Sequence, residues 1–70
     1  MSDDNMIKAI CTEIAAWSVF SAQDIYDAWK LCRSFDMILA AMDYCAIFGY
    51  VNLSMQVKRI KKTMQELNKQ

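Results

Sequence analysis

Histidine and proline are both absent from this 70-residue chain, and glycine occurs once, at Gly49. Without histidine no Ser-His or Cys-His nucleophile pair can be assembled, and the commonest general base near neutral pH is missing. A single glycine excludes a glycine-rich phosphate loop. Carboxylates are available at Glu13, Asp24, Asp27, Asp36 and Asp43. Only Asp24 and Asp27 share a helical spacing, and capping or repulsion on an exposed face accounts for that pair better than metal binding does. The residues point away from an enzyme and from any cofactor or metal.

The three cysteines, Cys11, Cys32 and Cys45, are odd in number and lack a C-x-x-C spacing. With no histidine beside them they indicate neither a disulfide framework nor a zinc site, so reduced, mostly buried thiols are expected. The acidic start, Met1-Ser2-Asp3-Asp4, is not followed by the apolar core of a signal peptide. The most apolar run, Met37 to Phe48, is short and carries Asp43, which does not suit a bilayer span. A cytoplasmic protein without a membrane partner is the expectation.

What the chain does have is apolar surface in excess: 56% of residues are hydrophobic and 23% charged. So short a chain has a marginal core unless something adds to it, and the surplus points to association, most simply as a homodimer. Helix formers are plentiful and no long strand run appears. The formal net charge is zero but unevenly placed. Acids dominate residues 1–53, whereas Lys58, Arg59, Lys61, Lys62 and Lys69 face only Glu66 in residues 54–70. A basic tail of this kind is drawn to nucleic acid or an acidic partner, although a solvated helix face carries the same residues.

The pattern predicts an all-α, compact four-helix domain covering residues 1–70, with helices at about 4–19, 22–33, 35–48 and 54–68. In the first, Ile7, Ile10, Cys11, Ile14 and Ala15 form an apolar face, and Trp17 and Phe20 are placed to close over the next element. Ser21-Ala22-Gln23-Asp24 has the form of a capping box, with Phe20 and Ile25 as a hydrophobic staple. Ile25, Ala28, Trp29 and Cys32 then share a face. Ser34 or Asp36 caps a third helix whose inward positions are Ile38, Met42, Cys45 and Ala46. Gly49 suits a left-handed terminator, with Tyr50 folding back near Cys45. Asn52 or Ser54 opens a basic amphipathic last helix. Its seam of Leu53, Val57, Ile60, Met64 and Leu67 either docks on the first three helices or pairs with another subunit.

Ser21 to Val51 resembles the core of winged-helix and related helix-turn-helix regulators. The matching residues are Ile25 and Ala28 on a capped helix, then Ile38, Met42 and Cys45 after a short turn, then the Gly49-Tyr50-Val51 exit. The resemblance implies a tri-helical DNA-binding core and a small regulator of transcription, acting as a dimer. Backbone contacts to DNA would then come from Lys30, Arg33, Lys58, Arg59, Lys61 and Lys62. Two features depart from the pattern. Only Asn52 and Leu53 remain after Val51 before the next helix, so a wing is vestigial or missing. The outward positions expected on the third helix, Met37, Leu39, Ala40, Ala41, Asp43 and Tyr44, include no arginine or lysine to read bases.

Those departures motivate an alternative from a different class, an adaptor or inhibitor module that binds a protein partner through an apolar helical surface. Met37, Leu39, Ala41, Tyr44, Val57, Ile60, Met64 and Leu67 are its expected contact residues. A weaker third reading, the last helix lying on anionic lipid, suffers from the lack of a large aromatic on that helix.

Overall fold

The computed structural model describes residues 3–49 and 52–69. Four helices follow one another: α1 (Asp3–Ala16), α2 (Ala22–Cys32), α3 (Phe35–Phe48) and α4 (Leu53–Asn68). The chain is all-helical, as its composition predicts.

Local chemistry sets each boundary. Asp3 and Asp4 sit in the first turn of α1, where the helix dipole favours negative charge. The helix ends three residues earlier than its apolar spacing predicts. The Trp17 and Ser18 amides close it by donating hydrogen bonds to the carbonyls of Ile14 and Ala15, and the Phe20 amide donates to Ser18 Oγ at 3.2 Å, a local bond that competes with a further helical turn. The capping box is present. The Asp24 amide donates to Ser21 Oγ and the Ser21 amide to the Asp24 carboxylate.

Ser34 rather than Asp36 caps α3, accepting from the Met37 amide, and Asn52 rather than Ser54 caps α4, accepting from the Met55 amide. Gly49 ends α3 at φ 75°, its amide donating to the Cys45 carbonyl. The Tyr50 fold-back and the Tyr50-Val51 part of the expected exit lie outside the described residues.

One core joins all four helices. Cys11 and Ile14 come from α1, Ile25 and Ala28 from α2, Ile38, Ala41 and Cys45 from α3, and Leu53 and Val57 from α4. The α2 helix is the hub, with α1 on one side and α4 on another, while α3 packs chiefly on α4. The Arg33-Ser34 turn joins α2 to α3, whose mutual interface is the smallest in the molecule. Between α3 and α4 the axis turns through 110°.

The result is a slab, 41 × 28 × 14 Å, with a radius of gyration of 12.4 Å against about 11 Å for a globule of this length. No single helix among the described residues is long and apolar enough to cross a membrane.

Several expected positions change place. Ala41, assigned to an outward surface, is fully buried, because it shares the inward face of α3 with Ile38 and Cys45. Met37 is half-buried against the same core, and Ala46, expected inside, is exposed. Val57 has no exposed surface and Ile60 is half-covered, so the first half of the α4 seam belongs to the protomer's own core. Trp17 is 64% exposed and stands outside the core, since α1 stops just before it, whereas Phe20 does pack on the cluster containing Ile25.

Candidate functional site

Several of the cations assigned to DNA backbone contacts are engaged within the fold. Lys30 Nζ lies 3.3 Å from the Asp27 carboxylate and 5.0 Å from the centre of the Tyr26 ring, and the Arg33 guanidinium stacks on Trp29 at 4.6 Å. Lys61 Nζ donates to the Leu31 carbonyl oxygen at 2.7 Å. Lys58, Arg59 and Lys62 are exposed along α4, Arg59 with an interaction of its own. The six are therefore not a single basic surface, and Lys61 already serves as a structural donor.

Several of the large side chains left uncovered, Leu39, Tyr44, Ile47 and Phe48, lie on α3. Its outward row, at spacings of four, three and four, is Asp36, Ala40, Asp43 and Ile47, all exposed, with Leu39 exposed beside it. Hollows flank the helix. On one side Trp17, Val19 and Phe20 of the α1–α2 loop face Leu39, Met42 and Asp43 across a cleft of about 420 Å³. On the other side α3 and α4 diverge around a groove of about 570 Å³, where Tyr44 and Phe48 face Gln56, Ile60 and Met64. The Tyr44 and Phe48 rings stack, 5.6 Å between centres and 17° from parallel, because a spacing of four puts them on adjacent turns.

Of the expected partner-surface residues, Leu39, Tyr44, Met64 and Leu67 are exposed, and Tyr44 and Met64 share the groove with half-covered Ile60. Ala41 and Val57 are excluded by burial. Trp17, Val19, Ile47 and Phe48 belong to the exposed regions outside the expected partner surface, and buried Gln56 lines the α3/α4 groove. The signal for Phe48 was present in the sequence, four residues after Tyr44. Nothing local marked Val19, which is 95% exposed.

Burial pushes the Cys11 and Cys45 thiols up, which holds them protonated. Cys32 donates to the Ser34 carbonyl oxygen. Among the described residues no cluster of histidine, cysteine or carboxylate could hold a metal ion. The strongest electrostatic grouping joins α1 to α2. The Tyr26 hydroxyl donates to Asp4, whose other oxygen lies 3.1 Å from Lys8 Nζ. The bond from Tyr26 and the charge of Lys8 hold the Asp4 carboxyl below its ordinary value.

No protein-family model matches this chain, and no curated protein or solved structure shows significant similarity to it. The likeness to helix-turn-helix regulators therefore rests on residue spacing alone.

Proposed function

We propose that this protein is a small interaction module, an adaptor or inhibitor, that regulates a partner by presenting the outer face of α3. The observation that carries this reading is the composition of that face. Leu39, Ala40 and Ile47 are exposed among Asp36 and Asp43, with no lysine, arginine, asparagine or glutamine on the helix. A helix of this kind repels phosphate and lacks the side chains that read base edges. It suits a segment with an apolar stripe and basic flanks, Ala40 allowing close approach and the loop residues Trp17 and Val19 adding contact area.

The test is affinity capture with quantitative mass spectrometry, comparing the wild-type chain with Leu39→Glu and Ile47→Glu. Ile47 is 73% exposed and Leu39 38%, so circular dichroism of each variant accompanies the capture and only variants with wild-type helicity count. A partner retained by the wild type and lost by both variants supports the reading, and an identical set of captured proteins removes it.

Regulation of transcription through DNA is the second reading, favoured by exposed Lys58, Arg59 and Lys62 on α4. Three such contacts give a slope of log affinity on log salt of about −2.7. Absence of any shift of duplex DNA at low salt, or binding that survives Lys58→Glu and Lys62→Glu together, excludes it.

A further inference from the structure

Val19 is 95% exposed, yet the loop that carries it is held. Ser18 Oγ accepts from the Phe20 amide at 3.2 Å and donates to the Phe20 carbonyl oxygen at 3.4 Å, while Phe20 packs on the core. The residue between them is thereby kept away from the protein. An apolar side chain fixed in this way is ordered before a partner arrives, which lowers the entropy lost on binding.

Val19 stands between two hollows. With Phe20 and Met42 it borders both the cleft of about 420 Å³ towards Leu39 and Asp43 and a second of about 360 Å³ towards Ala46 and Asp24. Together they follow α3 from Leu39 to Gly49, a rise of about 15 Å. Their charge is of one sign. Asp43 stands on the α3 wall and Asp24 on the α2 wall, and among the described residues neither hollow is lined by a lysine or an arginine. Residues 9–57 contain two cations, Lys30 and Arg33, and these are engaged with Asp27 and Trp29, so none is left to answer Asp43.

We propose that this double hollow receives a basic amphipathic helix of a protein partner. Charge complementarity names the chemistry: carboxylates on opposite walls call for lysine or arginine on both flanks of the occupant, and they turn away phosphate, whether of a nucleic acid or of a lipid headgroup. The shape calls for a helix. Residues four apart on a helix lie about 5–6 Å from each other, so two apolar side chains one turn apart enter the two hollows and leave a gap for Val19, in the manner of a knob in a hole. This occupant presupposes the role of α3 as an interaction face and adds the chemistry of what that face takes.

Amide NMR of the intact, isotope-labelled chain, titrated with a helical leucine/lysine peptide of about 15–20 residues, tests it. Shifts are expected at Val19, Phe20, Met42, Asp43 and Ala46, saturating below about 1 mM, and a leucine/glutamate peptide of the same pattern binds at least about tenfold more weakly. Val19→Glu and Asp43→Lys, each checked for wild-type circular dichroism, weaken the lysine peptide about tenfold or more. Glu66→Lys makes the same change of charge on α4, lines neither hollow, and leaves the affinity within about twofold. Asp24 is kept because it caps α2. The proposal is overturned by a lysine peptide that shifts nothing at about 1 mM, by shifts confined to other surfaces, by equal binding of the glutamate peptide, or by variants that bind like wild type. Shifts at the same amides on concentrating the chain alone assign the hollows to the basic α4 of a second copy and overturn it as well. The two readings fail separately. Capture lost in Leu39→Glu and Ile47→Glu, with the peptide refused, leaves an interaction face without this occupant, whereas an identical captured set removes the regulatory role whatever the peptide does.

Discussion

Lys61 Nζ donates to the carbonyl oxygen of Leu31 at 2.7 Å, so a cation from α4 closes the carboxyl end of α2, thirty residues earlier in the chain. The last carbonyls of a helix have no partner within it and carry the negative end of the dipole. A partly buried ammonium satisfies both conditions and locks α4 to the hub of the fold.

Lys61→Met keeps the aliphatic stem and removes the charge, leaving the Leu31 carbonyl unsatisfied. The expected loss is about 1.5–3 kcal/mol in urea unfolding, the worth of a hydrogen bond to a charged group. Lys62→Met, one residue on and exposed, is expected to change stability by no more than roughly 0.5 kcal/mol. Equal effects at the two sites contradict the engagement of Lys61.

Ala40 and Ala41 are neighbours of the same type with opposite environments, the first exposed and the second wholly buried against Ile38 and Cys45. Ala41→Leu forces a larger side chain into a filled site, at a cost of about 1–3 kcal/mol. Ala40→Leu enlarges an exposed face and leaves thermal stability within roughly 0.5 kcal/mol of wild type. The reverse order contradicts the rotation of α3 described here.

That pair also shows where the sequence stops being informative. The capping box at Ser21 and Asp24 and the left-handed end at Gly49 are legible because each is decided within four or five residues by one hydrogen bond or one backbone angle. Along Met37-Ile38-Leu39-Ala40-Ala41-Met42 every side chain is apolar, so hydrophobic spacing gives no contrast from which to choose the inward face. Spacing alone therefore places Ala41 outward and Ala46 inward, the reverse of their positions in the fold. The seam of α4 was legible as a stripe, yet the point at which it leaves the core depends on how far α2 and α3 reach. The engagement of Lys61 is a contact between distant helices, which spacing within one helix does not encode.

Two helices end in a left-handed residue, Gly49 at φ 75° and Arg33 at φ 53°. A Cβ at Gly49 meets nothing within 4 Å, so Gly49→Ala carries only the backbone penalty, about 1–2 kcal/mol. Arg33→Gly relieves the same strain and gives up the stack on Trp29, worth roughly 0.5–1 kcal/mol at an exposed site. A small net gain in the urea midpoint is therefore expected for Arg33→Gly and a loss for Gly49→Ala. A marked loss for Arg33→Gly means that the stack outweighs the strain.

Asp4 gives the fold an acid-sensitive joint. The bond from Tyr26, then the charge of Lys8, hold its carboxyl below the ordinary 3.8. A carboxylate with a depressed folded pKa binds its proton more weakly folded than unfolded. Its stabilisation is therefore present above the unfolded value and is lost as pH falls through the lower, folded one. Since α1 packs chiefly on α2, protonation of Asp4 loosens α1 first. Thermal unfolding followed from pH 5 to pH 2 should show the wild type losing more stability than Asp4→Asn, with the difference confined to the range below about 4. Tyr26→Phe should remove most of that difference, because the hydroxyl is the largest cause of the shift. If Asp4→Asn and wild type decline in parallel to pH 2, the contact does not link α1 to α2 in solution.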